Sequence, residues 1–547
     1  MIFRSFFIII ILLAKSFFIT NFLFAKDPMS AIDWLAEKIN DPPDFYTNPS
    51  LNFDINDNDI KKLDLPNISK NSIGIFPSIR LGINSNVWKN SNEFEISSLL
   101  DKIDIGDIYY LNRLLKRILL IEADPPIIVT GKEFSGTFFL RSRILKLIQM
   151  GALDEAEALL LDANPNTDPK LIDLWSKISF LTLRFDNFCN AVLKSYHTLI
   201  HPAHKVICLA RSGDWNAAAL SLATYSSINE IENDYEKLLI NFLDHEADLE
   251  ISNKDLCNRD QPLLVYLCDF SNINTQDLRI DVKYLYNDLS RGKSIRSRII
   301  ASEELVKSGA LNPGILFSTY KVKKPSTSGG VWARVKKVQD LENLLEYNLK
   351  NTETLSTHLD LMVKEFLKNK LLSPFAEFYS EKLKLREFEY SSLYDSIIVI
   401  NILSGNYKDL KTRNKITNFS LQNLLNVINY RDKIVAKYKF NSNSHGDSSL
   451  FYSNKKNTEL QKAILEASKG IYPVGLFSSK KIDKAFLKKQ DGFALLNAIY
   501  LISSSTISDV ASLQTGLASL VKLGLINDFK SISNELLIME YFKKNLG

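Results

Sequence analysis

Three of the six histidines are close together in the sequence and could ligate a metal: His197, His201 and His204. Two histidines four residues apart can share one face of a helix and bind a metal ion. Pro202 follows His201 directly, and a proline at this place ends the helix that such a site would need. We therefore interpret the three imidazoles as loop residues between helices, and the sequence predicts neither a metal site nor a cofactor.

Carboxylates are the second kind of residue that could do chemistry, because a pair of them can hydrolyse a glycosidic bond. Glu155 with Glu157, and Glu303 with Glu304, are the candidate pairs. Sequence spacing does not fix the distance between two carboxyl groups, and such residues are more often on the surface. Phosphate-binding, dinucleotide-binding, zinc-protease and serine-hydrolase motifs are absent from the sequence. No catalytic residue is therefore assigned.

A Ser/Gly-rich loop precedes the long amphipathic helix predicted to begin at Val331. The free amides of Ser328, Gly329 and Gly330 could hold an anion at the helix N-terminus, and Arg334 follows one turn later. These four residues are the candidate contact for an anion or a partner. The alternative is an ordinary cap and hinge.

Five lysines form the densest basic cluster of the chain: Lys480, Lys481, Lys484, Lys488 and Lys489. A helix face covered by water is one interpretation of this cluster. Binding to an anionic polymer of the cell envelope is the other. The formal net charge of the whole chain is only +4, which gives no argument for binding to nucleic acid.

All four cysteines, Cys189, Cys208, Cys257 and Cys268, fall within one window of the sequence. An even number of cysteines in an exported chain indicates two disulfides, and four cysteines allow three connectivities. We favour Cys189–Cys208 and Cys257–Cys268, because each pair could join neighbouring antiparallel helices. Four buried thiols are the alternative.

The first 25 residues have the pattern of a secretory leader. Arg4 precedes a long apolar run, and Ala25 follows Leu23 and Phe24 at a position that fits a cleavage site. Lys15 divides the run, so that neither half alone is long enough to span a bilayer. The sequence therefore predicts a periplasmic protein with no integral membrane segment after removal of the leader.

Composition and periodicity both favour helices. Hydrophobic residues make up 45% of the 547 residues, so a large core can form, and glycine, which all-β chains use freely in turns, is scarce at 20. Leucines and isoleucines recur at three- and four-residue spacing through most of the chain. Gly151 and Gly213 each precede a similar helix start, in Gly-Ala-Leu-Asp-Glu-Ala and Gly-Asp-Trp-Asn-Ala-Ala. These two predicted repeat turns indicate helical hairpins.

The predicted fold is all-α, with stacked antiparallel helical hairpins in a degenerate α-solenoid and an irregular N-terminal segment. Two short strands are expected in that segment, at 73–76 and 79–83. Trp175 and Trp215 lie on apolar stripes, and we expect both in the core. The predicted organisation is a signal peptide (1–25), a short helix and extended linker (26–91), a helical-repeat region (92–250), a second helical region (251–440), a loop (441–457) and a C-terminal helical group (458–547).

Two resemblances accompany these patterns. The hairpins are similar to tetratricopeptide-type repeats, although the usual Trp and Pro positions and a fixed period are missing. The stretches that begin at Asp27, Ala210 and Ser328 resemble a group of exported alphaproteobacterial proteins of unassigned activity. Some of that group bear the name "antifreeze glycopeptide polyprotein", which carries no weight because this chain has no Ala-Ala-Thr repeat. Neither resemblance supplies a catalytic residue.

The leader, the hairpins and the missing catalytic motifs together lead to one hypothesis. The chain is expected to be a non-enzymatic periplasmic scaffold or adaptor that binds other proteins of the cell envelope, because stacked hairpins form extended binding surfaces. The alternative is an all-α enzyme that acts on peptidoglycan or another polysaccharide. That enzyme would need carboxylates that converge in an aromatic-lined cleft.

Overall fold

A computed structural model of the protein describes most of the chain after Ile68. The chain divides into two units between Asp64 and Leu65, and every described residue belongs to the second. The described residues are 69–128, 136–194, 201–244, 246–247, 249–251, 256–257, 259–273, 281–325, 329–347, 352–384, 394–407, 418–440, 457–473, 475, 477–505 and 509–546.

Several sequence predictions fall outside these ranges. They concern the leader with its cleavage site after Ala25, the helix and most of the linker before Ser69, His197, Ser328 and almost all of the predicted loop at 441–457.

Helices dominate the described residues, which confirms the all-α prediction. The helices of the first half are α1 Glu93–Lys102, α2 Tyr109–Leu119, α3 Phe138–Met150, α4 Leu153–Asp162, α5 Pro169–Thr182, α6 Asp186–Lys194, α7 Pro202–Arg211, α8 Trp215–Ser227, α9 Asn233–Leu243, α10 Pro262–Phe270 and α11 Ile295–Lys307. Those of the second half are α12 Pro313–Tyr320, α13 Gly330–Tyr347, α14 Thr352–Lys368, α15 Leu372–Lys384, α16 Tyr394–Ser404, α17 Phe419–Phe440, α18 Glu459–Ser468, α19 Phe477–Leu487, α20 Asp491–Ser504, α21 Val510–Lys522 and α22 Ile526–Leu546.

Local sequence explains where many helices begin and end. Asp168 caps α5 by accepting a hydrogen bond from the Lys170 amide at 2.9 Å, and Pro169 occupies the first turn, where it needs no donor. Gly151 ends α3 with φ 79°, a left-handed conformation that glycine adopts without strain. Gly213 has φ 89° between α7 and α8. From α3 to α10, each helix packs against the next one in the sequence.

One helix, α2, lies at the centre of the described fold. It packs against α3 from its own neighbourhood, against α15 from the middle of the chain, and against α20 and α22 from the C-terminal end. Eight of its eleven residues are buried, among them Asn112 and Lys116. The fold is therefore organised around this helix as well as along the sequence.

A close contact fixes the first helices against the C-terminal ones. Trp88 is buried beneath α20, and a Cβ atom at Gly492 would lie 2.4 Å from Cε3 of its indole. Ser91 accepts a hydrogen bond from the Phe493 amide at 3.2 Å. Because only glycine lets the indole approach so closely, Gly492 determines how α20 sits on the residues before α1.

The short strands differ from the sequence prediction. Phe76–Pro77 (β1) pairs in parallel with Ile121–Glu122 (β2), and Ser78–Leu81 is a 3-10 helix. The expected pairing between 73–76 and 79–83 is therefore wrong. The physical reason is that the chain after α2 offers a free carbonyl: Leu120 O accepts hydrogen bonds from the amides of Ile75 and Phe76 at 2.9 and 3.1 Å.

Candidate interaction surfaces

A serine–histidine pair of the kind found in hydrolases is present, but it is buried. Ser176 Oγ on α5 lies 2.6 Å from Nε2 of His204 on α7, and both side chains are almost inaccessible. The other ring nitrogen, Nδ1, has no hydrogen-bond partner, so no carboxylate orients the imidazole. Burial lowers the pKa of His204 to about 3, which leaves it neutral and too weak a base to activate the serine at neutral pH.

His201 does not complete a metal site with His204. The two rings are 5.9 Å apart between centroids, and Nδ1 of His201 accepts the Ala203 amide hydrogen bond at 3.3 Å as the cap of α7. Among the described residues, no three His, Cys, Asp or Glu side chains come together as metal ligands would. The local geometry gives this pair a structural role.

The four candidate carboxylates are each paired with a cation. Glu155 contacts Lys116 at 2.5 Å, and Glu157 contacts Arg184 at 2.8 Å. Glu304 forms an ion pair with Lys307, one turn further along α11. The Glu155–Lys116 pair joins α4 to α2, whereas the Glu304–Lys307 pair lies within α11. These carboxylates are thus engaged in ion pairs and do not face each other as a catalytic pair would.

Glu303 and Arg334 form a buried ion pair that the sequence did not reveal. The guanidinium donates to both carboxylate oxygens at 2.8 and 2.6 Å, and Tyr320 donates to the same carboxylate at 2.7 Å. Asn369 accepts a further hydrogen bond from Arg334 at 3.0 Å. Arg334 is thus directed into the fold and joins α11, α12, α13 and α14, while Gly329 and Gly330 are exposed at the start of α13. This geometry favours the cap-and-hinge interpretation of the loop.

The cysteines are joined in the favoured pattern. One disulfide links Cys189 on α6 to Cys208 on α7, and the other links Cys257 to Cys268 on α10. No free cysteine is present. Two disulfides are compatible with an oxidising compartment, as export would provide.

Helix α8 has an exposed apolar face, which we call the α8 surface: Trp215, Ala219, Leu220 and Ala223. Trp215, Ala219 and Ala223 follow one another at four-residue spacing, and Leu220 lies beside them. Trp215 is 51% exposed and Leu220 is 71% exposed. The adjoining side of the helix, with Ala218 and Leu222, is buried against α7 and α9.

The prediction that Trp215 belongs to the core is wrong, whereas Trp175 is buried as expected. Trp215 is the first residue of α8. The residues that follow it at four-residue spacing, Ala219 and Ala223, are alanines. The apolar residues of α8 extend around more of the helix than its two neighbours cover. The sequence signal that could have identified the α8 surface is an apolar face too wide for two neighbouring helices to cover.

Helix α19 presents a basic face, which we call the α19 lysine face: Lys480, Lys481, Lys484, Lys488 and the leucine Leu487. All five side chains are exposed, and Leu487 is exposed at 86%. Ser479, Ile482 and Ala485 are buried on the other side and hold the helix against the fold. The lysine cluster therefore lies on one fixed surface, as a solvated or ligand-binding face requires.

A small polar pocket lies where the starts of α17 and α18 meet the C-terminal part of α22. Its volume is about 260 Å³, and amide and hydroxyl side chains predominate in its lining. Glu540 is the one carboxylate among the described lining residues. It pairs with Lys544 at 3.4 Å and accepts a hydrogen bond from Thr458 at 3.0 Å. This pocket lacks the two carboxylates that glycoside hydrolysis requires.

Within the described ranges, no helix combines the length and the apolar character that crossing a bilayer requires.

The chain matches no protein family, no curated protein and no solved structure.

Proposed function

We propose that the protein is an exported, non-enzymatic scaffold that binds a partner protein of the cell envelope through the α8 surface. The observation that carries the proposal is the exposure of Trp215 and Leu220, which lie at the two edges of the wide uncovered side of α8. Exposed apolar patches are commonly interaction sites, and tryptophan is enriched among the residues that dominate binding energy.

The chemistry of the α8 surface favours a helical partner. Ala219 and Ala223 carry only methyl groups, so a second helix could approach α8 closely beside Trp215. Helix α8 contains no charged residue, which suits an apolar stripe rather than a charged peptide. The expected ligand is therefore an amphipathic helix whose apolar face covers this surface.

The base of the α8 surface is held in place before any partner binds. Asp214 caps α8 by accepting the Ala217 amide hydrogen bond at 3.1 Å, and Leu222 is buried on its inner side. The disulfide between Cys189 and Cys208 ties α7, on which α8 packs, to α6. A surface fixed in this way loses little conformational entropy on binding.

Location in the periplasm is part of the same proposal, and so is kinship with the exported proteins that the sequence resembles. The location in the periplasm is supported by the leader pattern and by the two disulfides, which form in oxidising compartments. Mass measurement after alkylation without reductant tests it. Protein recovered from the periplasmic fraction with four alkylated thiols would contradict the proposal of export to an oxidising compartment.

Site-specific photocrosslinking tests the interaction. A photoreactive amino acid replaces Leu220 in the full chain, and a matched protein carries it at Lys205, an exposed position on α7. We expect a discrete protein adduct from position 220 in cells that produce the protein. It should be absent at position 205 and lost when Trp215→Asp is added. Equal adducts from both positions, or none from position 220, would refute the α8 surface as the binding site.

A further inference from the structure

The α19 lysine face has the properties of a surface that docks on a membrane. Lys480, Lys484 and Lys488 follow one another at four-residue spacing, and the Lys488 amide still donates to Lys484 O at 3.2 Å. Lys481 and Leu487 flank this row. The row therefore runs along one side of the helix, inclined to its axis, so that its side chains can contact one surface.

Negative charge does not neutralise this face within the described part of the protein. The one acidic residue of α19, Asp483, pairs instead with Lys522 on α21 at 3.1 Å. Ion pairs between carboxylates and the lysines of the face are absent among the described residues. Lys480, Lys484 and Lys488 thus place three positive charges in solvent within little more than two turns, and Lys481 adds a fourth at the edge of the face, beside the Phe493 ring.

The arrangement does not serve the stability of the helix. Like charges four residues apart repel each other, and Lys480 and Lys481 lie in the N-terminal half of α19, where the helix dipole disfavours cations. The first turn contains no acidic residue that would offset this effect. An external anionic ligand would add attractive interactions with the lysines and so offset this repulsion.

Leu487 distinguishes a lipid surface from a soluble polymer. It is exposed at 86% and lies one turn from Lys484, at the edge of the basic face. An anionic polymer in water offers an isolated leucine no apolar environment, whereas the boundary between headgroups and acyl chains does. A basic helix face with an apolar residue at its edge is typical of helices that lie in that boundary.

The side of α19 opposite to this face is anchored. Ile482 and Ala485 are buried, and Lys481 Nζ lies 4.9 Å from the Phe493 ring centroid on α20. Asn90 donates a hydrogen bond to Lys489 O at 3.2 Å, just after the helix. The orientation of the face is thus fixed before it meets a ligand.

We propose that the α19 lysine face docks on an anionic lipid bilayer, with the lysines at the phosphate groups and Leu487 inserted between headgroups. Each lysine near an anionic surface strengthens binding by about fivefold, and salt weakens this attraction. The contact is peripheral and reversible.

Fluorescence at position 487 tests the proposal directly. Leu487→Cys in the full chain carries an environment-sensitive label, and Lys205→Cys carries the same label as the control. With vesicles of phosphatidylglycerol and phosphatidylcholine, the emission at position 487 should shift to the blue. The emission of the label at position 205 should stay unchanged with the same vesicles. With vesicles of phosphatidylcholine alone, the emission should stay unchanged at both positions. An unchanged emission at position 487, or an equal shift at both positions, would overturn the proposal.

Charge variants test the role of the lysines. The triple variant Lys480→Gln, Lys484→Gln, Lys488→Gln is compared with a triple variant at exposed lysines elsewhere, Lys102→Gln, Lys170→Gln, Lys205→Gln. The net charges are equal, so a difference reports on this face alone. We expect the first triple to lower binding to the mixed vesicles about a hundredfold and to abolish the blue shift of a label at position 487. Equal binding by the two triples would contradict the proposal.

Soluble polyglutamate tests the competing occupant. Leu487→Ser should weaken binding to the mixed vesicles about fivefold and leave binding to polyglutamate unchanged, because only the bilayer receives the leucine. Wild-type binding to polyglutamate that is as tight as binding to the vesicles, with no effect of Leu487→Ser on either, would assign the face to an anionic polymer instead. Thermal unfolding of each variant shows that the fold is retained.

Discussion

Helices α2 and α8 contrast in a way that their sequences do not suggest. Helix α2 carries Asn112, Arg113, Lys116 and Arg117 among its eleven residues, yet it lies at the centre of the described fold. Helix α8 contains no charged residue, and most of its residues are at least partly exposed. The polar helix is inside and the apolar helix is on the surface, so composition alone does not determine burial.

The polar side chains of α2, of which Asn112 and Lys116 are buried and Arg113 and Arg117 half-buried, can lie in the fold because each has a partner. Asn112 donates to Gly106 O and Lys307 O at 2.9 and 2.8 Å, and Lys116 donates to Ala310 O. Arg117 pairs with Asp528 on α22 at 2.6 Å, and Arg113 pairs with Glu377 on α15. Buried polar groups are stable when they are hydrogen-bonded, so these contacts join α2 to distant parts of the chain.

The two ends of α2 meet buried ionisable side chains of opposite type, an acid and a base. Glu535 accepts hydrogen bonds from the amides of Tyr109 and Tyr110 at 3.1 Å at the N-terminus. Arg143 donates to Leu119 O and Ile121 O at 2.8 and 2.9 Å at the C-terminus. A carboxylate at the start and a guanidinium at the end both match the helix dipole. Helix α8 has only the local cap Asp214, which suffices for a surface helix.

The strongest test of this contrast removes the charge at the C-terminal end of α2. Besides the two carbonyls at the end of α2, Arg143 donates to Ile73 O at 2.7 Å and to Asn71 O at 3.5 Å. Arg143→Ala therefore deprives four carbonyl groups of a donor, and it leaves a cavity because the side chain is fully buried. We expect a loss of about 3–5 kcal/mol in the free energy of unfolding, measured with denaturant. The exposed Arg80→Ala is the control, with an expected change of at most about 0.5 kcal/mol. Equal losses would show that α2 does not depend on this guanidinium.

The second test titrates the N-terminal end of α2. Burial raises the pKa of Glu535 from 4.5 to about 7, although Ser373 and two backbone amides donate to it and act in the opposite direction. A raised pKa in the folded state means that the contribution of this group is complete below pH 4.5 and is lost as the pH rises through 7. Compared with Glu535→Gln, which does not titrate here, wild-type stability should fall by about 3 kcal/mol over that range. A difference between the two proteins that is independent of pH would contradict this prediction.

A third, smaller effect is expected on the inner side of α8. Leu222 is buried against the neighbouring helices, and Leu222→Ala should lower the free energy of unfolding by about 2 kcal/mol, mainly through lost apolar burial. Denaturant unfolding monitored by circular dichroism measures it. A negligible loss would mean that α8 is not packed as described.

The smallest effect is expected two residues earlier in the same helix. Leu220→Ala should change the free energy of unfolding by at most about 0.5 kcal/mol, since this side chain is already in water. The same denaturant experiment compares it with Leu222→Ala, which removes the same atoms at the same helix propensity. A loss at position 220 as large as that at 222 would show that the α8 surface is covered within the chain, and would contradict its role in partner binding.

Local features of the fold were predictable from sequence, and long-range ones were not. The all-α class followed from helical periodicity, and the favoured cysteine pairs are the ones joined. The role of α2 could not be predicted, because Glu535 lies 426 residues from Tyr109 along the chain. The exposure of Trp215 was missed for a related reason: an apolar stripe shows that a face is suited to burial, and a neighbouring helix must supply the cover.

Periodicity, caps and glycine turns act within a few residues, so the order of amino acids alone is enough to place the helices and several of their ends. Which charges lie inside and which apolar residues remain exposed depends instead on how distant segments pack. The reason is energetic: an arginine such as Arg143 is stable in the interior only where distant segments converge to hydrogen-bond it. Likewise, a leucine such as Leu220 stays in water wherever the packed helices leave its face uncovered.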